Sequence, residues 1–287
     1  PRGINTLRGK QKNIHKGLEK FKHIEMHLAD HCNLDCGACS HFSSIVEGED
    51  RLWYADIEQT EKDFKKMSEL FYEHTKNANI WLMGGEPLLH PEIISFMRIA
   101  RENFPDKNRN IYILTNGVLL ITKKDEFWLA LKTYDIKLKL SKYPPFKKLD
   151  AIKQICNKFQ IPLVVRQKPD FRTQMLNLEG PSDMEKNYKL CGLASCVNLR
   201  DGRMYTCCVL PHIKFFNKKF NKALPDTGPA LDEGGGIDIH KDGMTDKQLA
   251  SRLDTPVDLC RYCILDPPKT PWKRTEGDIN EWAVVKV

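Results

Sequence analysis

The feature that most constrains the fold is a regular alternation, between about residues 22 and 167, of short apolar runs with longer amphipathic stretches. Short, often β-branched runs separated in this way are typical of βα units, which build a parallel sheet or barrel. Apolar residues at helical spacing in the intervening stretches are expected to pack in the core, Cys156 among them. The alternation predicts five strands, at residues 23–29, 79–83, 111–114, 136–140 and 161–166.

Size and charge narrow the class of protein. The chain has 287 residues, enough to bury a substantial core. Its 45 Lys and Arg residues against 38 Asp and Glu residues give a net charge of +7. The basic residues do not form the tight tract that is typical of nucleic-acid binding. No apolar run has the length of a membrane span, and the first residues lack the apolar stretch of a signal peptide. We therefore expect a cytoplasmic protein that acts on a small molecule, without a nucleic-acid or membrane partner.

The character of the chain changes after about residue 180, where Gly, Pro and Cys become more frequent and helical periodicity fades. Three parts are predicted: an N-terminal segment over residues 1–21, an α/β domain over residues 22–180 and a smaller cysteine-rich domain over residues 181–287.

The first predicted strand carries an unusual polar face. Period-two alternation puts Ile24, Met26 and Leu28 on one side and Glu25 and His27 on the other. Barrel strands usually present apolar residues to both sides. The polar pair therefore either points into a lumen lined by substrate or is hydrogen-bonded near a rim.

Ten cysteines fall mainly into two clusters, and clustered cysteines in a cytosolic chain of this length more often bind metal than form disulfides. Cys32, Cys36 and Cys39 have C-x3-C-x2-C spacing directly after the first strand, at the end where barrel enzymes place their chemistry. Three thiolates can hold three irons of a [4Fe–4S] cube and leave the fourth iron open. A zinc site completed by the flanking His31 or His41 is the alternative.

This cysteine run resembles the signature of the radical S-adenosylmethionine superfamily, and the GGEP sequence at 84–87 is similar to a second motif of that family. The resemblance implies a partial (β/α)6 TIM-like barrel. It also implies that the open iron chelates S-adenosylmethionine, whose reductive cleavage gives a 5′-deoxyadenosyl radical that abstracts hydrogen from a substrate. An electron donor of the flavodoxin or ferredoxin type is implied as partner.

The resemblance also assigns residues to the binding of S-adenosylmethionine or substrate. Many family members carry an aromatic residue before the third cysteine, where this chain has Ala38, and we expect Phe42 to substitute for it near the adenine. The remaining residues assigned in this way are Gly84, Gly85, Glu86, Pro87, Thr115, Asn116, Ser141 and Arg166.

The second cysteine cluster resembles a twitch domain, the shortened form of the SPASM module. The resemblance implies that Cys191, Cys207, Cys260 and Cys263 hold an auxiliary [4Fe–4S] cluster. Four thiolates also suit a structural zinc ion, which is the alternative for this set.

A predicted hairpin leaves one ligand of the second cysteine cluster undecided. Asp201-Gly202 is a strong signal for a two-residue turn, and counting back from it sets Cys196 opposite Cys207. Cys196 therefore competes with Cys191 as a ligand. Cys208 should point to the opposite face, either as buried filler or as a hydrogen-atom donor.

The twitch-domain dehydrogenases of aminocyclitol pathways imply a reaction: oxidation of a secondary alcohol, with the auxiliary cluster accepting an electron. The sequences CGACSHFSS at 36–44, CRYC at 260–263 followed by Trp272, and INEW at 279–282 also look similar to radical S-adenosylmethionine proteins of surface-polysaccharide pathways. The two resemblances together imply a sugar, nucleotide-sugar or aminocyclitol substrate. Glu25, His27 and Arg166 are unranked candidates for the base. The alternatives are a carbohydrate epimerase that uses Cys208, Cys196 or Tyr143 as hydrogen donor, a peptide-modifying maturase, and a zinc-binding interaction module.

Overall fold

The computed structural model describes residues 23–70, 78–180, 182–194 and 196–285, so the predicted N-terminal segment over residues 1–21 lies outside the described residues. The chain folds around an eight-stranded, mostly parallel sheet. The strands are β1 (His23–His27), β2 (Asn79–Met83), β3 (Ile111–Thr115), β4 (Ile136–Lys142), β5 (Leu163–Gln167), β6 (Asp170–Arg172), β7 (Leu176–Asn177), β8 (Val197–Arg200), β9 (Arg203–Tyr205), β10 (Ile237–Asp238), β11 (Lys269–Pro271) and β12 (Ala283–Val284). The helices are α1 (Ile57–Leu70), α2 (Ile93–Asn103), α3 (Asp125–Thr133), α4 (Leu149–Phe159), α5 (Met184–Leu190), α6 (Ile213–Phe220) and α7 (Asp246–Leu253).

The α/β class and the five predicted strands are confirmed. Strands β1 to β5 run parallel, each paired with the next, and α1 to α4 alternate with them along the chain. β1 ends at His27 rather than at residue 29, and β4 continues to Lys142. Because the strands are parallel, the loops that follow them lie along one edge of the sheet, which is where ligands bind in such folds.

The cysteine-rich part of the chain continues the same sheet. β8 pairs in parallel with the free side of β1, and β9 and β10 follow in antiparallel order. The sheet order is therefore β10-β9-β8-β1-β2-β3-β4-β5, with residues from both predicted domains in one sheet. β1 therefore lies between β2 of the first domain and β8 of the cysteine-rich part.

Two hydrophobic cores support this arrangement. The larger one packs α1 to α4 and α7 against the sheet and contains Ile24, Met26 and the buried Cys156, as predicted. The second contains Phe42, Phe216 and Trp282 and lies beneath the cysteine loops. Within the described residues, no helix has the length and apolar character that crossing a membrane requires.

A buried ion pair joins the end of β1 to the β8–β9 hairpin. Arg200 donates through both terminal nitrogens to Asp30, and the Nη2–Oδ2 distance is 2.8 Å. The guanidinium also lies 3.6 Å from the ring centroid of Trp53. Burial opposes ionisation of Asp30, but hydrogen bonds from His27 and Arg200 lower its pKa to about 2. Its contribution to stability is therefore present above its ordinary pKa of 3.8 and is lost as the pH falls through about 2.

We predict that Arg200→Met lowers the free energy of unfolding by about 3–5 kcal/mol, because it leaves a buried carboxylate without its cation. The matched control is Arg98→Met, which removes an exposed ion pair with Glu102 and should have little effect. Urea unfolding at pH 7 measures both variants. Equal stability of the two would contradict a structural role for the pair.

Candidate functional site

One cavity of about 550 Å³ lies at the carboxyl ends of the parallel strands, and Cys32, Cys36 and Cys39 all line it. Its volume is in the range of small-molecule sites. The carboxyl-terminal parts of four strands also contribute to the lining, through Met83 of β2, Thr115 of β3, Ser141 of β4 and Gln167 of β5. The three cysteines that the spacing singled out are thus gathered at one site.

Gly84 and Gly85 hold the cysteine loop by close backbone packing. The Gly85 amide donates to the Ala29 carbonyl at 2.7 Å, and the Glu86 amide donates to the His31 carbonyl at 3.0 Å. A Cβ added at Gly85 would lie 2.0 Å from the His31 oxygen, so only glycine allows this approach. This close packing fixes the backbone immediately before Cys32, and both glycines also line the cavity.

Glu86 is a positioning residue in this geometry. Its carboxylate accepts from the Thr115 hydroxyl at 2.7 Å and from the amides of Asn116 and Leu88 at 2.9 and 3.1 Å. Burial raises the pKa of Glu86 to about 7, although these donors oppose the shift. The side chain is fully buried and does not line the cavity, and Pro87 behind it is buried as well.

Asn116 connects this carboxylate to the first cysteine. Its side-chain amide donates to the Asn33 Oδ1 at 2.6 Å and lies 3.5 Å from the sulfur of Cys32. The Leu34 amide approaches the same sulfur at 3.4 Å. The GGEP segment therefore orients Cys32 through Glu86 and Asn116.

The C-terminal segment covers the other two cysteines, and sequence reasoning gave it no role here. The indole of Trp272 donates to the sulfur of Cys36 at 3.1 Å, and that of Trp282 donates to the carbonyl of Cys39 at 2.9 Å. The Gly37 amide donates to the Lys273 carbonyl at 3.0 Å. Tryptophans close to the end of the chain were the available signal, but no local pattern indicates which loop they contact.

The three thiols differ electrostatically. Burial, with Glu86 nearby, raises the pKa of Cys32 well above its ordinary value, and burial with the neighbouring Cys39 raises that of Cys36 to about 12. Burial also opposes ionisation of Cys39, but His41 and backbone amides lower its pKa. Because metals bind thiolates, loading this site would release protons.

The structure places the remaining predicted residues in two groups. Gly84, Gly85, Thr115, Asn116 and Ser141 line the cavity. Phe42 does not: its backbone is left-handed, with φ 54°, and its buried ring packs 5.7 Å from Phe216 and 6.5 Å from Trp282, so it offers no stacking surface to a ligand. Arg166 is exposed on β5, outside the lining, and faces the Trp81 ring at 5.9 Å.

The polar face of β1 is hydrogen-bonded and buried. His27 Nε2 lies 2.8 Å from Asp30 and 3.2 Å from His212 Nε2, and His212 Nδ1 lies 2.7 Å from the Cys208 carbonyl. Of the two readings of this face, the hydrogen-bonded one is correct. Glu25, His27 and Cys208 are at most 3% exposed, and none of them is among the residues that line the cavity.

The second cysteine set is brought together. Burial raises the pKa of the Cys263 thiol, and the neighbouring thiols of Cys207, Cys191 and Cys260 raise it further. The Asn187 amide of α5 donates to the carbonyls of Cys260 and Cys263, both at 2.8 Å, and fixes the C-x2-C turn. Arg172, Met175 and Leu193 line both the main cavity and a smaller one of about 30 Å³ that Cys191 and Cys263 border.

The predicted hairpin is confirmed, but its extension to the cysteines is wrong. Arg200 opposes Arg203 across the turn at Asp201-Gly202. The pairing ends at Tyr205, so Cys196 does not face Cys207. Cys196 instead hydrogen-bonds to Cys208.

Comparison with known proteins bears on the fold. No family model matches this sequence, and no curated protein matches it significantly. Among solved structures, the fold is similar to that of BtrN in complex with AdoMet and 2-DOIA, with a TM-score of 0.50 and 17% identity, over 85% of this chain and 92% of that one. The resemblance to radical S-adenosylmethionine enzymes is confirmed at the level of the fold.

Two further solved structures, with lower TM-scores, match about half of the chain. Native anSMEcpe with bound AdoMet has a TM-score of 0.38 and 17% identity over 50% of this chain and 43% of that one. Streptococcus suis SuiB bound to precursor peptide SuiA has a TM-score of 0.29 and 13% identity, over 51% of this chain and 39% of its own.

We predict that Gly85→Ala lowers the free energy of unfolding by about 1–3 kcal/mol and displaces the cysteine loop, because the added methyl meets backbone that cannot move aside. Gly192→Ala is the control, since its Cβ would meet only the end of the Arg172 side chain, at 3.9 Å, and its φ lies outside the left-handed region. Urea unfolding and iron content after anaerobic reconstitution measure the two effects. Wild-type stability and iron content in Gly85→Ala would contradict the packing argument.

Proposed function

We propose that this chain is a radical S-adenosylmethionine oxidoreductase with a partial (β/α)6 barrel and a twitch-type C-terminal part. The observation that carries the proposal is the single cavity that collects the three thiols of the C-x3-C-x2-C run and the Gly84-Gly85 backbone, beside a second group of four thiols. The fold likeness to BtrN, whose structure contains AdoMet and 2-DOIA, supports the assignment.

The donor set of the main cavity fits a cube with one open iron. Cys32, Cys36 and Cys39 are the thiols of its lining within the described residues, whereas a structural zinc ion takes four protein ligands. Of the two histidines considered as a fourth ligand, His31 is turned away, with its Nε2 3.4 Å from the Tyr54 hydroxyl. His41 lines the cavity and hydrogen-bonds to Cys39, but its Nε2 faces the Glu25 carboxylate. The volume that remains suits a small molecule.

The second thiol group fits an auxiliary [4Fe–4S] cluster, with Cys191 as the ligand and Cys196 outside the set. When bound, the first cluster with S-adenosylmethionine would supply a hydrogen-abstracting 5′-deoxyadenosyl radical, and the second would accept an electron. Residues shared by the two cavities bring the second thiol group against the wall of the first cavity. A flavodoxin or ferredoxin would supply the reducing electron.

The rest of the cavity wall favours a polyhydroxylated substrate. Ser141, Lys168, Asp170, Arg172 and Lys269 line it, and they offer hydrogen bonds to hydroxyl groups and positive charge for a phosphate. We therefore propose a secondary alcohol of a sugar, nucleotide-sugar or aminocyclitol as the oxidised group.

We assign acceptance of the hydroxyl proton to Lys168. Burial, together with Arg166 and Arg172, lowers its pKa, which favours the neutral amine that a base requires. The candidates taken from the sequence, Glu25, His27 and Arg166, do not line the cavity.

We predict that Cys32→Ala, Cys36→Ala and Cys39→Ala each abolish formation of 5′-deoxyadenosine, because the three-thiol site is incomplete. Mass spectrometry of anaerobic reactions with S-adenosylmethionine and a chemical reductant measures it. Cys156→Ala is the control, since this buried thiol lies on α4, in the larger hydrophobic core, and belongs to neither thiol group. Retained 5′-deoxyadenosine in any of the three variants would refute the assignment.

For Cys260→Ala we predict that 5′-deoxyadenosine still forms while substrate oxidation falls to background, because only the electron acceptor is impaired. The wild-type product should be about two mass units lighter than the substrate, since a secondary alcohol loses two hydrogens on becoming a ketone. A product of unchanged mass that carries solvent deuterium would indicate an epimerase instead. Full oxidation by Cys260→Ala would remove the second thiol group from the mechanism.

For Lys168→Gln we predict a loss of turnover of about 10²–10⁴-fold, as for removal of a general base. Wild-type turnover should rise with pH as the lysine loses its proton, and the variant should lose this rise. Lys269→Gln, at another lysine of the cavity wall, is the control and should keep this rise. A Lys168→Gln enzyme with the wild-type pH profile would contradict the assignment.

A further inference from the structure

At the wall of the main cavity that His41 lines, there is a partly buried cluster of mixed metal-ligand side chains outside the two thiol groups. The ligand atoms of His23, Glu25 and Cys196 all lie within 4.8 Å of one another. Those of Glu25, His41 and Cys208 do so as well. Glu25 belongs to both sets, and the thiols of Cys196 and Cys208 are in hydrogen-bond contact.

Two atoms at the centre of this cluster are unsatisfied. Glu25 Oε2 and His41 Nε2 are buried and make no hydrogen bond within the described part of the chain, yet they face each other at 3.9 Å. Buried polar atoms of this kind are rare, because each costs about 1–3 kcal/mol. Two ligands each about 2 Å from one tetrahedral ion lie about 3.3 Å apart, so the two atoms would need to close by about half an ångström to share it.

We propose that the chain binds one zinc ion between the thiolates of Cys196 and Cys208, Oε2 of Glu25 and Nε2 of His41. Two thiolates, an imidazole and a carboxylate form a donor set that suits tetrahedral Zn²⁺. A divalent cation also removes the cost of burying three anionic groups together.

The carboxylate of Glu25 is also held by a hydrogen bond from outside the proposed ligand set, as metal ligands usually are. His23 holds the other oxygen of Glu25 at 3.2 Å and is itself stacked on Trp81 at a centroid distance of 3.5 Å. A hydrogen-bonded carboxylate ligand of this kind is oriented before the metal arrives.

The four ligands come from separate parts of the fold. Glu25 is on β1, His41 follows the first cysteine run, and Cys196 and Cys208 flank the β8–β9 hairpin. The ion would therefore cross-link the loop of the first thiol group to the hairpin that lies between Cys191 and Cys207. It would also account for two cysteines that the proposed clusters leave over.

The test uses the full chain, expressed with added zinc sulfate, purified anaerobically and reconstituted with iron and sulfide. Elemental mass spectrometry should find about one zinc per chain, and zinc K-edge X-ray absorption should show about two sulfur and two nitrogen or oxygen neighbours. The K-edge measurement sees zinc alone, so it needs no variant and is independent of the iron clusters.

Cys196→Ser, Cys208→Ser and Glu25→Gln should each lose the zinc while keeping wild-type iron and sulfide, and the control Cys156→Ser should keep all three. Wild-type protein without zinc would overturn the proposal. So would zinc with four sulfur neighbours, which would place it at the second thiol group, or a loss of iron in a folded Cys196→Ser or Cys208→Ser variant.

Discussion

The buried contact between Arg200 and Asp30 sets the relation between the two cysteine-bearing parts of this protein. Asp30 lies two residues before Cys32, and Arg200 lies at the tip of the hairpin between Cys196 and Cys207. A bidentate pair fixes orientation as well as distance, and neither group can be left alone at this depth without a large cost. The first cysteine loop and the hairpin are therefore held in one arrangement before any metal binds.

From that constraint the rest of the site follows. β8 pairs with β1, so the cysteine-rich part lies against the strand that leads into the first cysteine loop. The C-terminal segment then returns across this loop, where Trp272 and Trp282 donate to Cys36 and Cys39. One wall of the cavity is thus built from residues that also border the second thiol group. The electron transfer that we propose would need both thiol groups near one substrate, and the residues shared by the two cavities meet that need.

The features of the fold and the site that depend on neighbouring residues in the sequence could be predicted from it. Strand positions follow from short apolar runs, the turn at Asp201-Gly202 follows from residue types that tolerate positive φ, and the grouping of Cys32 to Cys39 follows from spacing. Contacts between distant segments were not accessible. The indole that reaches Cys36 comes from 236 residues further along, and the partner of Cys196 depended on where strand pairing stops. The period-two alternation places Glu25 and His27 on one face of β1. It does not indicate whether other protein residues or a ligand contact that face.

The central claim is that three thiols hold an iron–sulfur cube with one iron open to S-adenosylmethionine. Electron paramagnetic resonance of the anaerobically reconstituted, dithionite-reduced protein tests it most directly, with and without S-adenosylmethionine. The account predicts two reduced-cluster signals, of which one changes its g-values when S-adenosylmethionine is added and the other does not. A reduced protein with no cluster signal, or with cluster signals whose g-values do not change when S-adenosylmethionine is added, would contradict the proposed iron–sulfur site.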